Sequence, residues 1–289
     1  MIPAHTFVGA EDAPRFGIVL HGVLGAGHNF RSFIKRLTDA RPEYRFALVD
    51  LRHHGKSQGA PPPHTLDACA DDLLELTAHL NVEPDVVIGH SLGGKVALIY
   101  GQKHIEAHGD GAPSESAREK LRQVWALDSD PGVQVPGGSH QVKTVMAALR
   151  AHRGPFTSRQ EALDALAREG LSSGLTNWLS TNLEKRGDVL AWRLDLESID
   201  ELLDDYFSLD LWGFLERVAA EDPALLRPLP GFHLLVAENS DRWSGTMKER
   251  AETLPHGDAF TLHELPRSGH WVHVDNPDGL LEILSSNLP

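Results

Sequence analysis

The stretch "VVIGHSLGGKVAL", residues 86–98, places Ser91 between Gly89 and Gly93. An apolar run precedes the serine, and a segment with helical spacing of apolar residues follows it. A G-x-S-x-G pattern is weak evidence alone, but a strand before it and a helix after it are the context of a nucleophilic serine. Such a sharp turn requires small flanking residues and exposes the hydroxyl at a helix N-terminus. We therefore predict that Ser91 is a nucleophile and not a simple helix cap.

Around this stretch, short apolar runs alternate with amphipathic segments. The apolar runs occupy residues 16–22, 45–50, 85–90, 124–130, 232–238 and 260–266. Helical spacing of apolar residues is found between several of them, as in residues 66–80 and 92–103. Apolar strands that alternate with helices are typical of a parallel sheet covered on both faces. The predicted fold class is α/β, with a mostly parallel central sheet flanked by helices.

This alternation stops between residues 131 and 230, where no run predicts a strand. Helical spacing recurs instead, at residues 142–149, 175–183, 199–206 and 211–218. We predict a helical cap over 131–230, inserted into a core formed by residues 1–130 and 231–289. Open α/β sheets bind ligands at the carboxyl edge of the strands, and this is the edge that the cap should cover. Its aromatic residues, together with Trp271, are expected to supply part of an acyl pocket.

The segment "LHGVLGAG", residues 20–27, directly follows a predicted strand. A serine that transfers acyl groups needs backbone N–H donors aimed at the developing oxyanion. A turn at this position can supply one donor, with Val23 as the first candidate and Leu24 as the second. The other predicted donor is Leu92, the residue after the nucleophile.

The segment "PRSGHWVHVDNP", residues 266–277, lies between the last predicted strand and the last predicted helix. In chain order this is the position of a histidine base that follows the serine and the acid. His270 is the predicted base, since Gly269 permits a loop close to the site. His273 is the alternative.

Composition restricts the class of protein. The 289 residues carry a formal net charge of −14, which argues against a general nucleic-acid binder. No apolar run approaches the roughly 18 residues of a membrane span, and the first residues do not resemble a signal peptide. Cys69 is the only cysteine, which fits a reducing compartment and a cytoplasmic protein. Metal and phosphate-loop motifs are missing, so we expect a small-molecule substrate and no cofactor; the oligomeric state is open.

Four segments together resemble the small bacterial acyl-ester hydrolases of the YbfF type and their mitochondrial relatives, within the α/β-hydrolase fold. They are "DLRHHGKS" (50–57), "GHSLGGKVAL" (89–98), "ALDSDP" (126–131) and "GHWVHVDNP" (269–277). The resemblance implies a serine carboxylesterase that also accepts acyl thioesters and uses no cofactor.

The resemblance also bears on the acid of the catalytic triad. Most α/β-hydrolases carry it after the strand that follows the cap, where this chain has Glu238 and Asp241. In the YbfF-like group it follows the strand before the cap, and Asp128 in "ALDSDP" matches that position. Asp128 is therefore the implied acid, Asp241 is the alternative acid, and Asp130 and Glu238 are less favoured. The acid orients the histidine and stabilises its protonated form.

Functions other than ester hydrolysis are also compatible with a nucleophilic Ser91. A carbon–carbon bond hydrolase or a cofactor-free perhydrolase would need a similar serine on this fold. A noncatalytic binding protein would be expected to lack one member of the triad. Outside the triad, we predict a structural ion pair between Asp50 and Arg52. Lys95, one helical turn after Ser91, is predicted either to face solvent or to hold a neighbouring loop.

Overall fold

Nine strands are present in the computed structural model, which describes residues 1–107, 121–134, 140–222, 224–225 and 229–289. In chain order they are β1 (His5–Val8), β2 (Arg15–Leu20), β3 (Tyr44–Val49), β4 (Val86–His90), β5 (Gln123–Leu127), β6 (Leu183–Arg186), β7 (Val189–Trp192), β8 (Gly231–Ala237) and β9 (Phe260–Leu265). All except β6 and β7 form one sheet of order β1-β3-β2-β4-β5-β8-β9. Only the β1–β3 pairing in this sheet is antiparallel. The predicted α/β class is confirmed.

The sheet contains all six predicted strands and one that was not predicted. The additional strand is β1, which pairs with β3 at the sheet edge and has three half-buried residues and one exposed residue. Inside the sheet, β2 and β4 are neighbours, with Leu20 opposite Gly89. The chain proceeds from β2 outward to β3 and then returns to β4 on the other side. The loops after β2 and β4 therefore flank the point at which the strand order reverses, where such sheets bind ligands.

Helices cover both faces of the sheet. The helices are α1 (Arg31–Ala40), α2 (Leu66–Leu80), α3 (Leu92–Ala107), α4 (His140–Ala151), α5 (Arg159–Arg168), α6 (Ser173–Leu179), α7 (Leu196–Ser208), α8 (Trp212–Ala219), α9 (Gly245–Thr253), α10 (Val272–Asp275) and α11 (Pro277–Asn287). Val87 of β4 points into the apolar cluster that contains α2 and α3. Val86 and Ile88 point into the cluster that contains α1 and α11. This alternation explains why a central strand is apolar at every position.

The inserted segment contains α4 to α8. Leu149, Phe156 and Ile199 of this segment belong to a third apolar cluster, which also includes Leu24 of the core. The prediction that it holds no strand is wrong, because β6 and β7 form an antiparallel hairpin within it. The helical spacing over 175–183 fails where α6 ends at Leu179 and the chain turns into β6. Gly187, at φ +63°, and the residue after it form the two-residue turn of the hairpin. A Gly-Asp pair between short strands is a recognised hairpin signal.

Lys95 joins the core to the inserted segment. Its side chain is fully buried in α3. The ammonium donates hydrogen bonds to the carbonyl oxygens of Gly132 at 2.7 Å, Tyr206 at 2.7 Å and Leu209 at 2.9 Å. Burial lowers the pKa of Lys95 to about 8, so the charged form still predominates at pH 7. The lysine holds neighbouring segments and does not face solvent.

Replacing Lys95 with methionine should destabilise the protein by about 3 kcal/mol or more, because three buried carbonyl groups lose their donor. Lys103→Met is the matched control on the same helix, since Lys103 makes ion pairs with exposed carboxylates and such pairs contribute about 0–1 kcal/mol. Urea unfolding of both variants measures the difference. Equal losses in the two variants would contradict this role of Lys95.

Candidate active site

Ser91 lies in the tight turn between β4 and α3. Its backbone has φ +53°, a left-handed conformation that is unfavourable for a residue with a side chain. Three hydrogen bonds hold the turn: the Ser91 N–H donates to Leu127 O at 3.0 Å, and the Ser91 carbonyl accepts from Ser129 Oγ at 2.6 Å and the Gly94 N–H at 2.8 Å. A Cβ on Gly93 would lie 2.6 Å from the His21 carbonyl oxygen. The glycine is therefore required for the close approach of the β2 and β4 ends.

Ser91, His270 and Asp128 form a continuous chain of hydrogen bonds. His270 Nε2 lies 3.1 Å from Ser91 Oγ, and His270 Nδ1 lies 2.7 Å from Asp128 Oδ2. Asp128 directly follows β5, and His270 lies in the loop after β9. Since these strands are parallel, their carboxyl ends meet at one sheet edge. The structure brings together the three residues that the sequence nominated.

The Asp128 carboxylate is fully buried and makes three hydrogen bonds. Besides His270 it accepts from Ser240 Oγ at 2.6 Å and from the Ala237 N–H at 3.1 Å. Burial raises the pKa of Asp128 to about 6, against these two donors, which favour the ionised form. Ser240, in the loop after β8, thus holds the Asp128 carboxylate in place.

The other three candidate acids do not contact His270. Asp241 has a side chain that is 66% exposed and lies 3.2 Å from Arg242 Nε. Glu238 is also exposed, and its carboxylate accepts a backbone N–H of the neighbouring loop. Asp130 is buried and accepts the N–H two residues further along the chain. Glu238 and Asp130 thus accept hydrogen bonds elsewhere, and Asp241 lies near the Arg242 guanidinium.

His90, which sequence reasoning did not nominate, supports the histidine loop. Its Nε2 donates to the backbone carbonyl of His270 at 2.7 Å. Burial lowers the pKa of His90 to about 3, so the ring is neutral. Burial, together with the nearby Arg242 cation, also lowers the pKa of His270. His273, the alternative base, stacks on Phe30 with ring centroids 4.0 Å apart.

Val23 and Leu92, the two predicted oxyanion donors, line the pocket that contains Ser91. Leu92 is the first residue of α3. The N–H groups of the first helical turn have no acceptor within the helix, so the Leu92 N–H is free of an intrahelical bond. Val23 lies in the loop after β2 and lines the same pocket as the serine. Leu24, the second candidate in this loop, has φ +61°, and its carbonyl accepts from Asn182 Nδ2 at 2.9 Å. Asn182 belongs to the inserted segment and fixes this loop.

A pocket opens above Ser91 between the sheet edge and the inserted segment. Its apolar side chains come from both parts, the core supplying Val23, Leu24, Phe30, Leu92 and Trp271 and the inserted segment supplying Val142, Val145, Leu175, Trp178, Leu203 and Phe207. Polar side chains at this pocket include Gln134, Gln141 and Arg242. Trp192 and Trp212, two other aromatics of the inserted segment, are buried away from it. An apolar pocket with few polar groups is typical of a small-molecule site.

The predicted ion pair between Asp50 and Arg52 does not form. Arg52 instead makes a buried bidentate pair with Asp72, with nitrogen–oxygen distances of 2.8 and 2.9 Å. Asp50 accepts backbone N–H groups, including that of Gly27 at 2.8 Å. The prediction failed because α2 brings Asp72 against Arg52 from twenty residues away, and local sequence carries no signal for this contact.

Two further features of the described part of the chain bear on function. No group of three His, Cys, Asp or Glu side chains in these ranges could hold a metal ion. No helix among the same residues is long and apolar enough to span a membrane.

Comparisons with known proteins agree with this geometry. Residues 18–283 match the model of the alpha/beta hydrolase family. The chain is 28% identical over 276 residues to the mouse (Mus musculus) sn-1-specific diacylglycerol lipase ABHD11, a match covering 94% of this chain and 80% of the relative. It is 24% identical over 269 residues to esterase YbfF of Escherichia coli, covering 92% and 90%. The structure of a marine microorganism esterase superposes with a TM-score of 0.77 at 24% identity, covering 98% and 99%. The predicted α/β-hydrolase fold and the YbfF-type resemblance are confirmed.

Proposed function

Since the chain belongs to the alpha/beta hydrolase family and is a hydrolase, we propose that it is a serine carboxylesterase that cleaves carboxylic esters or thioesters of small molecules. The single observation that carries this proposal is the hydrogen-bonded chain Ser91–His270–Asp128. The names of its relatives agree, since these are a diacylglycerol lipase and an esterase.

In the proposed mechanism, Ser91 Oγ attacks the carbonyl carbon of the ester while His270 Nε2 accepts the hydroxyl proton. The protonated imidazole then delivers this proton to the departing alcohol or thiol, leaving an acyl group on Ser91. Water, activated by the same nitrogen, attacks the acyl-enzyme and releases the acid. Asp128 accepts from Nδ1 throughout and stabilises the imidazolium without taking the proton.

The charge that develops on the carbonyl oxygen would be held by the N–H groups of Val23 and Leu92. These N–H donors must be held in fixed loops, because donors that have to move during the reaction stabilise the oxyanion less. The bond from Asn182 to the loop after β2 and the helix start at Leu92 supply such fixation.

We propose that residues 131–230 act as a cap over the core formed by residues 1–130 and 231–289. The apolar side chains that this segment contributes would exclude water from the acyl pocket and set the preferred acyl length. A reducing compartment such as the cytoplasm remains our proposal for its location, from the single buried cysteine.

A fluorophosphonate probe tests the proposal directly, since it reacts with a serine only when a base activates it. We expect intact-mass spectrometry to show one adduct, mapped by peptide sequencing to Ser91, and its loss in Ser91→Ala. Ser286→Ala is the control, because Ser286 is an exposed serine of α11. Labelling of another serine, or none, would count against the proposed mechanism. In that case noncatalytic binding would need to be tested instead. A carbon–carbon bond hydrolase would also be labelled at Ser91 and is distinguished by its substrates.

A further inference from the structure

Arg242 brings a positive charge to the proposed acyl pocket. Its side chain is 12% exposed, and it lines the pocket that contains Ser91 and His270. Among the described residues that line this pocket there is no Asp, Glu, Lys or second Arg. Burial lowers the pKa of the lining histidines His21, His90, His270 and His273, which leaves them neutral. The guanidinium is therefore the one formal charge that the described residues place on these walls.

The hydrogen-bonding capacity of this guanidinium is largely unused. Its Nη2 donates to Gln141 Oε1 at 3.3 Å, a long bond. The Nε is buried and has no well-aligned partner among the described residues, although Asp241 lies 3.2 Å away. A guanidinium carries five N–H donors. The Asp241 carboxylate itself is mostly exposed and does not line the pocket.

Two buried cations of the described chain, Lys95 and Arg52, contrast with Arg242. Lys95 donates to three carbonyl groups, and Arg52 makes a bidentate pair with a buried carboxylate. Both are satisfied by the protein and serve its structure. Arg242 is held at the pocket with donors to spare, and a buried donor without a partner costs free energy unless a ligand supplies one.

We infer that Arg242 binds an anionic oxygen group of the substrate, so that the natural substrates are esters or thioesters that carry a carboxylate or a similar anion. The inference rests on the proposed function and narrows its substrate class. A guanidinium and a carboxylate pair through charge-assisted, often bidentate hydrogen bonds, which add orientation to affinity. The apolar walls would accommodate the chain between the anion and the reacting carbonyl.

Matched pairs of esters test the inference. Monomethyl glutarate and methyl pentanoate differ by an anion on the acyl side, whereas 4-acetoxybenzoate and its methyl ester differ by an anion on the leaving group. We expect the wild type to prefer the anionic member of at least one pair. The pair that shows the preference tells whether Arg242 binds an anion on the acyl side or on the leaving group. Arg242→Gln should lower the ratio of kcat/KM, anionic over neutral, by roughly 10- to 100-fold, the range of a charge-assisted hydrogen bond. Arg242→Lys should keep more of the preference.

The ratio is the appropriate readout because the Arg242 charge also acts on the pKa of His270, which changes both rates of a pair together. Arg186→Gln is the control, since Arg186 is exposed on the hairpin and absent from the pocket lining. If the wild type prefers the neutral ester in both pairs, or if Arg242→Gln leaves the ratio unchanged, the inference is wrong. The proposed function would not be affected by either result.

Calorimetry separates the inference from the proposed function. The anionic esters should bind to Ser91→Ala and fail to bind when Arg242→Gln is added. If wild type and Ser91→Ala hydrolyse esters equally, the proposed mechanism fails. Weaker binding of the anionic esters to the double variant than to Ser91→Ala would still support the role of Arg242. Equal binding by the single and double variants would overturn the assignment of Arg242 whatever the activity.

Discussion

Ser91→Ala and Asp128→Asn should each lower kcat for 4-nitrophenyl butyrate by roughly 10⁴-fold or more, the scale of losses in serine hydrolase triads. The serine supplies the bond-forming atom. The aspartate fixes the His270 tautomer, and asparagine would offer an amide in place of the carboxylate that accepts from Nδ1 at 2.7 Å. Steady-state kinetics measure both losses, and a circular dichroism spectrum establishes that each variant is folded.

Asp241→Asn is the discriminating comparison, since Asp241 is the acid that chain position alone would favour. Its exposed carboxylate makes no contact with His270, so we expect a change of no more than about threefold on this neutral ester. If Asp241→Asn were the damaging substitution and Asp128→Asn were mild, the acid assignment would be wrong. The His270 loop would then have to move during the reaction.

The second prediction concerns acid: the chain should lose about 7 kcal/mol of stability per pH unit as the pH falls from 5.5 to 4.5, and unfold in that range. Besides His270, six histidines have a pKa lowered by desolvation to about 4 or 3: His21, His54, His90, His233, His263 and His273. The unfolded chain, with ordinary histidines, binds these protons first, at about 1.4 kcal/mol per group and pH unit.

The sign follows from the direction of these shifts. A lowered folded-state pKa means that the stability is present above pH 6.5 and is lost as the pH falls toward the folded value. Burial raises the pKa of Asp130, which opposes one histidine. The coupled pair of His270 and Asp128 shifts in opposite senses and contributes little net. About five protons remain, which corresponds to a loss of about 14 kcal/mol between pH 6.5 and 4.5. This loss is comparable with the whole stability of a typical protein, about 5–15 kcal/mol.

Urea unfolding at pH 7.5, 6.0, 5.5 and 5.0 measures this slope. His233→Phe keeps the ring that stacks on Trp125 at 4.2 Å and should reduce the slope by about one proton. His79→Gln, at an exposed position of α2, is the control that should leave the slope unchanged. A stability that stays level from pH 6.5 to 5.0 would show that the buried histidines accept protons without unfolding.

Sequence reasoning predicted much of the core because its signals are local. The apolar runs became the six predicted strands of the sheet, and the pattern around Ser91 supplied both the turn and its glycines. The histidine followed from its position after the last strand. Residues 66–80, predicted from periodicity, coincide with α2.

The remaining features depend on contacts between distant residues. The sequence around Arg52 does not predict Asp72 as its partner. The sequence around Ser91 does not predict that His90 holds the loop of His270. Sequence patterns alone could not choose among the candidate acids, because the strands before and after the inserted segment both end at the sheet edge where His270 lies. The choice of Asp128 came from the family resemblance. Short exposed strands such as β6 bury too little to leave an alternating pattern.

The three hydrogen bonds of Lys95 have a consequence for protein engineering. A chimera that exchanges residues 131–230 for the corresponding segment of another esterase would join at two chemically simple boundaries. It would nevertheless have to present carbonyl groups where Gly132, Tyr206 and Leu209 now lie, and an amide donor where Asn182 lies. Recombination libraries that vary this segment should therefore keep these four positions together with Lys95, so that the crossover unit is larger than the segment itself.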